Sequence, residues 1–422
     1  MTPIRFVLDG LREMVRGGPA YWRWLGLNVA LCAIGFAFYL RQLDRGLVVT
    51  GMSDQVSWGF YIANFTYLVG MAAAAVMLVI PVYIYHNREL HDLVIFGELF
   101  AVAAIIMALL FVTADLGRPD RFHHLMLRFN FPRSMLTWDV IVLNGYLLLN
   151  LHICGYLIYC AYRKRPPSRM FYIPFVFVAI AWAISIHTVT AFLYSGLGGR
   201  PFWNSAVLAP RFLASAFAAG PAFLILTLSV LKAYTAYEVP EKAFMTLRNT
   251  VTIALSINMF LLGSEAFTEF YTGTTHAASA VYLFLGLHGH SGLVPWIWSA
   301  IGLNTAALVL LFTRWTRRMP VLQAACVMLI VGVWIEKGMG LIIPAFIPTP
   351  LGEIVEYMPS LNEVFVTLGI WAGGLLVYAI LIRVTVPVLM GTLTHEEVAS
   401  NPAAAHGPGD LVEFEAPGVH GS

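Results

Sequence analysis

Between Thr113 and Asn144 the chain reads TADLGRPDRFHHLMLRFNFPRSMLTWDVIVLN. An apolar run ends at Asp115, then come Arg118, Arg121, the adjacent His123 and His124, Arg128 and Arg133, and a second apolar run opens on Trp138 and Asp139. Further ionisable or hydrogen-bonding groups interrupt other apolar runs: Tyr61, Asn64, His187, Arg211, Glu265, Glu269, Glu336 and Lys337. Imidazoles and desolvated carboxyls exchange protons near neutral pH, and such groups are costly near hydrocarbon, which makes them functional candidates by default. The chemistry they suit is that of a quinone, which needs hydrogen-bond partners for two carbonyl oxygens and groups that take up or release two protons as two electrons move.

The elements that must position these groups are transmembrane helices. Hydrophobic residues make up 59% of the 422-residue chain and charged residues only 11%, against about a quarter charged in a soluble domain. About 20 apolar residues span a bilayer, and ten such segments are expected, over roughly residues 22 to 41, 58 to 86, 94 to 115, 137 to 162, 170 to 196, 211 to 236, 249 to 271, 290 to 313, 320 to 343 and 363 to 391. The expectation is an all-α polytopic membrane protein with a basic amphipathic segment over 1–21, a ten-helix domain over 22–391 and a disordered acidic tail over 392–422. With the N-terminus inside, 16 of the 25 lysines and arginines fall in inner segments and 9 in outer ones, so both termini are assigned to the cytoplasm. The arginine-rich loop before Trp138 then faces outward against that bias, as a loop with a ligand or partner to bind would. The basic residues form no stripe for nucleic acid.

An internal echo accompanies this pattern. Trp138 and Asn144 recur at the same spacing as Trp298 and Asn304, and SIHTVTAFLYSGLGGRPFW resembles VWIEKGMGLIIPAFIPTPLG in its order of polar group, apolar stretch and Gly/Pro-rich exit. Two four-helix bundles, spans two to five and six to nine, with flanking helices account for it.

At about 1.5 Å of rise per residue, nearly all the intramembrane polar groups fall in the outer half, so one shared pocket near the periplasmic face is expected. His123, His124 and Asp139 are its proposed catalytic groups. His187, Glu265, Glu269, Glu336 and Lys337 make a candidate proton route. Structural alternatives exist for the others: Asp115, Arg118, Asp120 and Arg121 can pair to close a loop, Lys337 can form an ion pair with Glu265 or Glu269, His187 can be a core histidine, and Arg211 can snorkel to the interface, whereas paired structural roles do not account for His123, His124 and Asp139 together. The spanning histidines, His152 and His187, sit at depths about 9 Å apart by the same rise, so no haem is expected. Cys32, Cys154, Cys160 and Cys326 lack any C-x-x-C spacing, so no iron-sulfur cluster is expected in this chain.

VTGMSDQVSWGFYIANF (49–65), LGRPDRFHHL (116–125), LTWDVIVLNGY (136–146) and HTVTAFLYSGLGGRPFWNSAVLAPRFLASAFAAGPA (187–222) resemble the NrfD/PsrC family of membrane quinone-interacting subunits. The ten spans are most similar to its HmcC/DsrP branch. The resemblance implies a subunit without its own cofactor that exchanges electrons between menaquinone or another quinone and a periplasmic iron-sulfur protein. In a DsrMKJOP type of complex, the neighbours would be a ferredoxin-like iron-sulfur subunit (DsrO-like), a multihaem cytochrome c (DsrJ-like), a membrane cytochrome b (DsrM-like) and a cytoplasmic iron-sulfur subunit (DsrK-like). It also implies quinone contacts at Tyr61, Asn64, His123 or His124, Trp138 and Asp139, with Arg118, Arg121 and Arg128 docking the partner. Two competing readings remain: a proton-coupled transporter, suggested by the repeat and the Gly/Pro-interrupted ninth span, and a passive anchor whose arginines only hold the partner.

Overall fold

A computed structural model describes residues 2–72, 76–83, 91–128, 130–273 and 277–395. Among these residues the regular structure is helical: α1 (Thr2–Met14), α2 (Pro19–Arg45), α3 (Phe60–Ala72), α4 (Val76–Tyr83), α5 (His91–Asp115), α6 (His124–Leu127), α7 (Met135–Tyr162), α8 (Arg169–Ser195), α9 (Leu208–Tyr234), α10 (Glu241–Thr272), α11 (Ala277–Phe284), α12 (Val294–Phe312), α13 (Met319–Lys337), α14 (Met339–Ile342) and α15 (Leu361–Leu389). Among the described residues nine helices are long and apolar enough to cross a membrane, and α3 is a shorter apolar one. Together with α3 and α4 as the two parts of the second span, they correspond to the ten expected segments. The expected inner loop at Arg88 and nearly all of the expected tail, 396–422, lie outside the described residues.

Two four-helix bundles are present, and their contacts repeat. In the first, α3 packs on α5, α5 on α7, α7 on α8, and α8 returns to α3; in the second, α9 packs on α10, α10 on α12, α12 on α13, and α13 returns to α9. The bundles meet where α9 lies against α3 and α8. Helices α2 and α15 pair along the outside and reach the first bundle through α5, α7 and α3.

Local sequence sets the ends. Pro19 opens α2, whose last turn is closed by Gly46 at φ +78°, a conformation that glycine adopts without steric cost. Ser360 and Glu363 form a complete capping box on α15. Gly35 and Gly369 let α2 and α15 touch backbone to backbone, because a Cβ on Gly35 would lie 2.6 Å from the Gly369 Cα. The ninth span stops at Gly338, and α14 continues it.

The amphipathic start is a docked helix. On α1, Phe6 packs against Tyr159 and Tyr162, Asp9 accepts a hydrogen bond from the Tyr162 hydroxyl at 2.6 Å, and Glu13 pairs with Arg383 at 3.2 Å. It therefore lies across the ends of α7 and α15 opposite the Asp115 end of the molecule.

Candidate functional site

The polar residues at the Asp115 end divide into distinct networks. The first joins the flanking helices to the start of α3. Gln42 on α2 donates from Nε2 to the Ala114 carbonyl at 2.6 Å, and its Oε1 accepts from the Tyr61 hydroxyl at 2.7 Å and from Asn362 Nδ2 at 3.2 Å. Beside it, the Glu363 carboxylate accepts from the Tyr357 hydroxyl at 2.5 Å and from the backbone N–H groups of Gly51 at 2.6 Å and Ser360 at 2.8 Å. Burial, and next the Glu363 charge, pushes the Tyr357 phenol up, so it stays a donor. Two acceptors here are buried without a donor, Asp115 Oδ1 and Asn362 Oδ1. Leaving such an atom unsatisfied costs about 1–3 kcal/mol, and each of these two oxygens is free to accept a further hydrogen bond.

The second network fills the heart of the second bundle. Glu336 on α13 is fully buried. Its Oε1 accepts from Arg211 Nη2 at 3.0 Å, Arg211 Nε at 3.2 Å and Asn258 Nδ2 at 3.2 Å, and its Oε2 from Asn304 Nδ2 at 2.9 Å and Asn258 Nδ2 at 3.1 Å. Arg211 also pairs through Nη1 with Glu265 Oε2. Pro210 and the first turn of α9 thus deliver the guanidinium inward, where it bridges two carboxylates; it does not snorkel. Glu265 Oε1, Asn258 Oδ1 and Asn304 Oδ1 are buried without donors. Glu269, one turn beyond Glu265, is only half-buried.

Lys337, the next residue after Glu336, points the other way. Its ammonium donates to the Phe212 carbonyl at 2.8 Å and lies 4.0 Å from the centre of the Phe212 ring. No carboxylate comes within ion-pairing distance of it among the described residues, so the expected pair with Glu265 or Glu269 is replaced by a carbonyl and an aromatic face. A Cβ on Gly70 would lie 3.6 Å from the ammonium, and the Gly70 carbonyl faces His187 Nε2 at 3.3 Å, while His187 Nδ1 faces the Ala183 carbonyl at 2.9 Å. Gly70 on α3 is therefore where His187 of the first bundle and Lys337 of the second come together.

Asp139 is buried on α7, with Oδ1 accepting from the Thr190 hydroxyl at 2.6 Å, and no cation pairs with it among the described residues. Nearby on the same bundle face, the Tyr194 and Thr66 hydroxyls share a hydrogen bond of 2.5 Å. Asn64 is fully buried and holds both the Trp334 and Trp371 indole N–H groups on Oδ1, at 3.0 and 2.9 Å. Trp138 donates to the Pro132 carbonyl at 2.9 Å.

His123 and His124 are exposed and pack edge to face with ring centres 4.4 Å apart; His123 Nδ1 faces the Asp120 carbonyl at 3.0 Å. No contact joins either ring to Asp139 among the described residues. Arg118 closes the loop on Asp120 through two bonds of 2.9 and 3.0 Å and holds that carboxyl below its usual range, whereas Arg121 and Arg128 stand exposed. The single expected pocket is thus resolved into a flanking-helix cluster, a second-bundle ion cluster and an exposed basic loop. Toward the opposite end, buried Glu98 accepts from the Cys154 thiol at 3.2 Å.

Several of these residues carry no motif. Gln42, Asn258, Asn304, Tyr357, Asn362 and Glu363 give a sequence reader only one signal, a polar side chain inside or capping an apolar run; Asn304 came into view solely through its echo of Asn144.

A model of the family described as polysulphide reductase, NrfD, matches residues 48–347. A protein of Halobacterium salinarum provisionally named as a membrane component of dimethyl sulfoxide reductase is 27% identical, over 79% of this chain and 78% of its own length. The Hdr-like menaquinol oxidoreductase integral membrane subunit of Archaeoglobus fulgidus is 23% identical over 85% and 92%, and a selenate reductase component of Mesobacillus selenatarsenatis 22% over 83% and 90%.

Proposed function

Because this chain belongs to the polysulphide reductase NrfD family, we propose that it is the quinone-interacting membrane subunit of a multi-subunit reductase complex. Its quinone headgroup site lies at the flanking-helix cluster. The observation that carries this reading is the pair of buried acceptors without donors, Asp115 Oδ1 and Asn362 Oδ1, set around Gln42 and Tyr61. A quinol presents two hydroxyl donors, and its oxidation releases two protons and two electrons. Asp115 is placed to receive a proton, Gln42 and Tyr61 to orient the ring, and Glu363, already held by three donors, to fix Tyr357 and the start of α15. Asp139 is the second buried carboxyl able to take a proton, with Thr190 orienting it.

The exposed loop with Arg121, Arg128, His123 and His124 docks an iron-sulfur partner, and the distribution of lysine and arginine sets this end toward the periplasm of the cytoplasmic membrane. Menaquinone is the quinone favoured by the name of the archaeal menaquinol oxidoreductase relative. The HmcC/DsrP placement, with DsrO-, DsrJ-, DsrM- and DsrK-like neighbours, rests on the ten-span count and on the strings at 49–65, 116–125, 136–146 and 187–222. The second-bundle cluster, joined to the first bundle through Lys337, Gly70 and His187, gives protons a route between bundles.

The test is Asp115→Asn in the purified complex. Quinol-driven reduction of the iron-sulfur partner should be lost while the subunits stay together, and quinol-analogue binding should weaken. Unchanged turnover would remove the site from this cluster. A passive anchor predicts the opposite pattern, in which only Arg121→Ala or Arg128→Ala has an effect and that effect is dissociation.

A further inference from the structure

The buried charges of the second bundle balance only when Lys337 is included. Arg211 contributes one positive charge, Glu265 and Glu336 two negative ones, and the Lys337 ammonium restores neutrality. Glu269 is only partly buried, with Oε2 screened from solvent, and makes no hydrogen bond or ion pair with Arg211 or Lys337 among the described residues, and His187, across Gly70, faces two carbonyls and no acid. In a low-dielectric interior an uncompensated charge is strongly disfavoured. The two acids are not equivalent. Five donor contacts from three side chains fix Glu336 as an anion, whereas Glu265 meets only Arg211 and keeps Oε1 buried without a donor.

We propose that Lys337, at the bundle junction, and Glu265, within the second bundle, are a linked proton-exchanging pair, while Glu336 remains permanently ionised as the fixed partner of Arg211. The cluster then has two neutral forms: ammonium with carboxylate, or amine with carboxylic acid. Passing between them breaks one N–H bond at Lys337 Nζ and forms one O–H bond at Glu265 Oε1; no electron moves and the net charge is unchanged. The donor-free oxygens of Asn258 and Asn304 are the acceptors that a bridging water would use to carry the proton. Lys337 lies beside Gly70 of the first bundle and Glu265 on α10 of the second, so the exchange passes a proton between the bundle junction and α10 while the cluster stays neutral. This deepens the proton route of the proposed function and rests on it.

The experiment uses the full chain in its complex. Lys337→Gln should lower its amount in the membrane and its thermal midpoint; adding Glu265→Gln should restore both, and adding Glu336→Gln should not. In native membranes, labelling of Glu265 by dicyclohexylcarbodiimide, which requires the protonated acid, should rise severalfold in Lys337→Gln and stay at the wild-type level in Lys337→Arg, with Glu336 unlabelled throughout. Additive losses, equal rescue by Glu336→Gln, unchanged labelling, or disappearance of both Lys337→Gln and its Glu265→Gln double variant would overturn the pairing. None of these readouts involves quinone, so failure of quinone-linked turnover in Asp115→Asn tests the proposed function and leaves this pairing standing.

Discussion

Glu336→Gln keeps the volume of the side chain and removes the charge that five contacts converge on. The Gln carbonyl can replace Oε1 and still receive Arg211, but its amide NH2 then meets the Nδ2 groups of Asn258 and Asn304, donor against donor. Asn304 has an escape, since its Oδ1 is without a donor and a flip of its amide would present that oxygen to the new NH2. A flip turns the NH2 toward Gly332, where a Cβ would already crowd the amide, so there is room only because that residue is glycine. Removing one member of a buried ion pair costs about 3–5 kcal/mol. The restored neutral hydrogen bond returns about 0.6 kcal/mol, the average measured between membrane helices, and loss of the Lys337 proton offsets part of the remainder. The expected net loss is about 2–3 kcal/mol, against about 1.5 kcal/mol for Asn304→Ala, which deletes a single bond to a charged group. The assay is reversible unfolding in mixed micelles as the denaturing detergent fraction is raised, with both variants compared with the wild type. A Glu336→Gln protein within about 0.5 kcal/mol of wild type, a margin usual for changes away from special features, would refute the claim that this carboxylate is the keystone of the second bundle.

Three further outcomes follow from other parts of the molecule. Asp139→Asn should abolish quinone-linked electron flow while co-purification of partners persists, and normal turnover would take Asp139 out of proton transfer. Gly35→Leu should release α2 from α15, because the Gly369 backbone already fills the space of a Cβ; protease sensitivity of the α1–α2 segment measures this, and an unaltered pattern would mean the contact is dispensable. Glu356, outside the spans, is held below its ordinary value of 4.5 first by the Gly292 N–H and also by His290 and Tyr282. A depressed carboxyl contributes stability above its unfolded value that is lost as pH falls through the folded one. Glu356→Gln should therefore be less stable than wild type at neutral pH, and thermal melts of the two should converge as pH drops below 4.5.

The bilayer demands about 20 apolar residues for each crossing and internal pairing of every backbone group, so the ten crossings and the two-bundle repeat could be read from the chain as a string. The cost of charge in hydrocarbon likewise marked Asp115, Asp139, His187, Arg211, Glu265, Glu336 and Lys337 as candidates. What no string contains is which of them meet. Gln42 and Asn362 are 320 positions apart, Asn64 and Trp371 307, and Arg211 and Glu336 125. Helical rise gives each a depth, but the rotation of each helix about its axis is set by packing against its neighbours. That rotation sends Glu336 into a cage of donors and adjacent Lys337 toward Gly70. It also buries Asp139 against Thr190 while His123 and His124 stay at the surface. Depth placed most of the intramembrane polar groups toward one end of the molecule; azimuth, which only tertiary contacts fix, sorted them into separate centres.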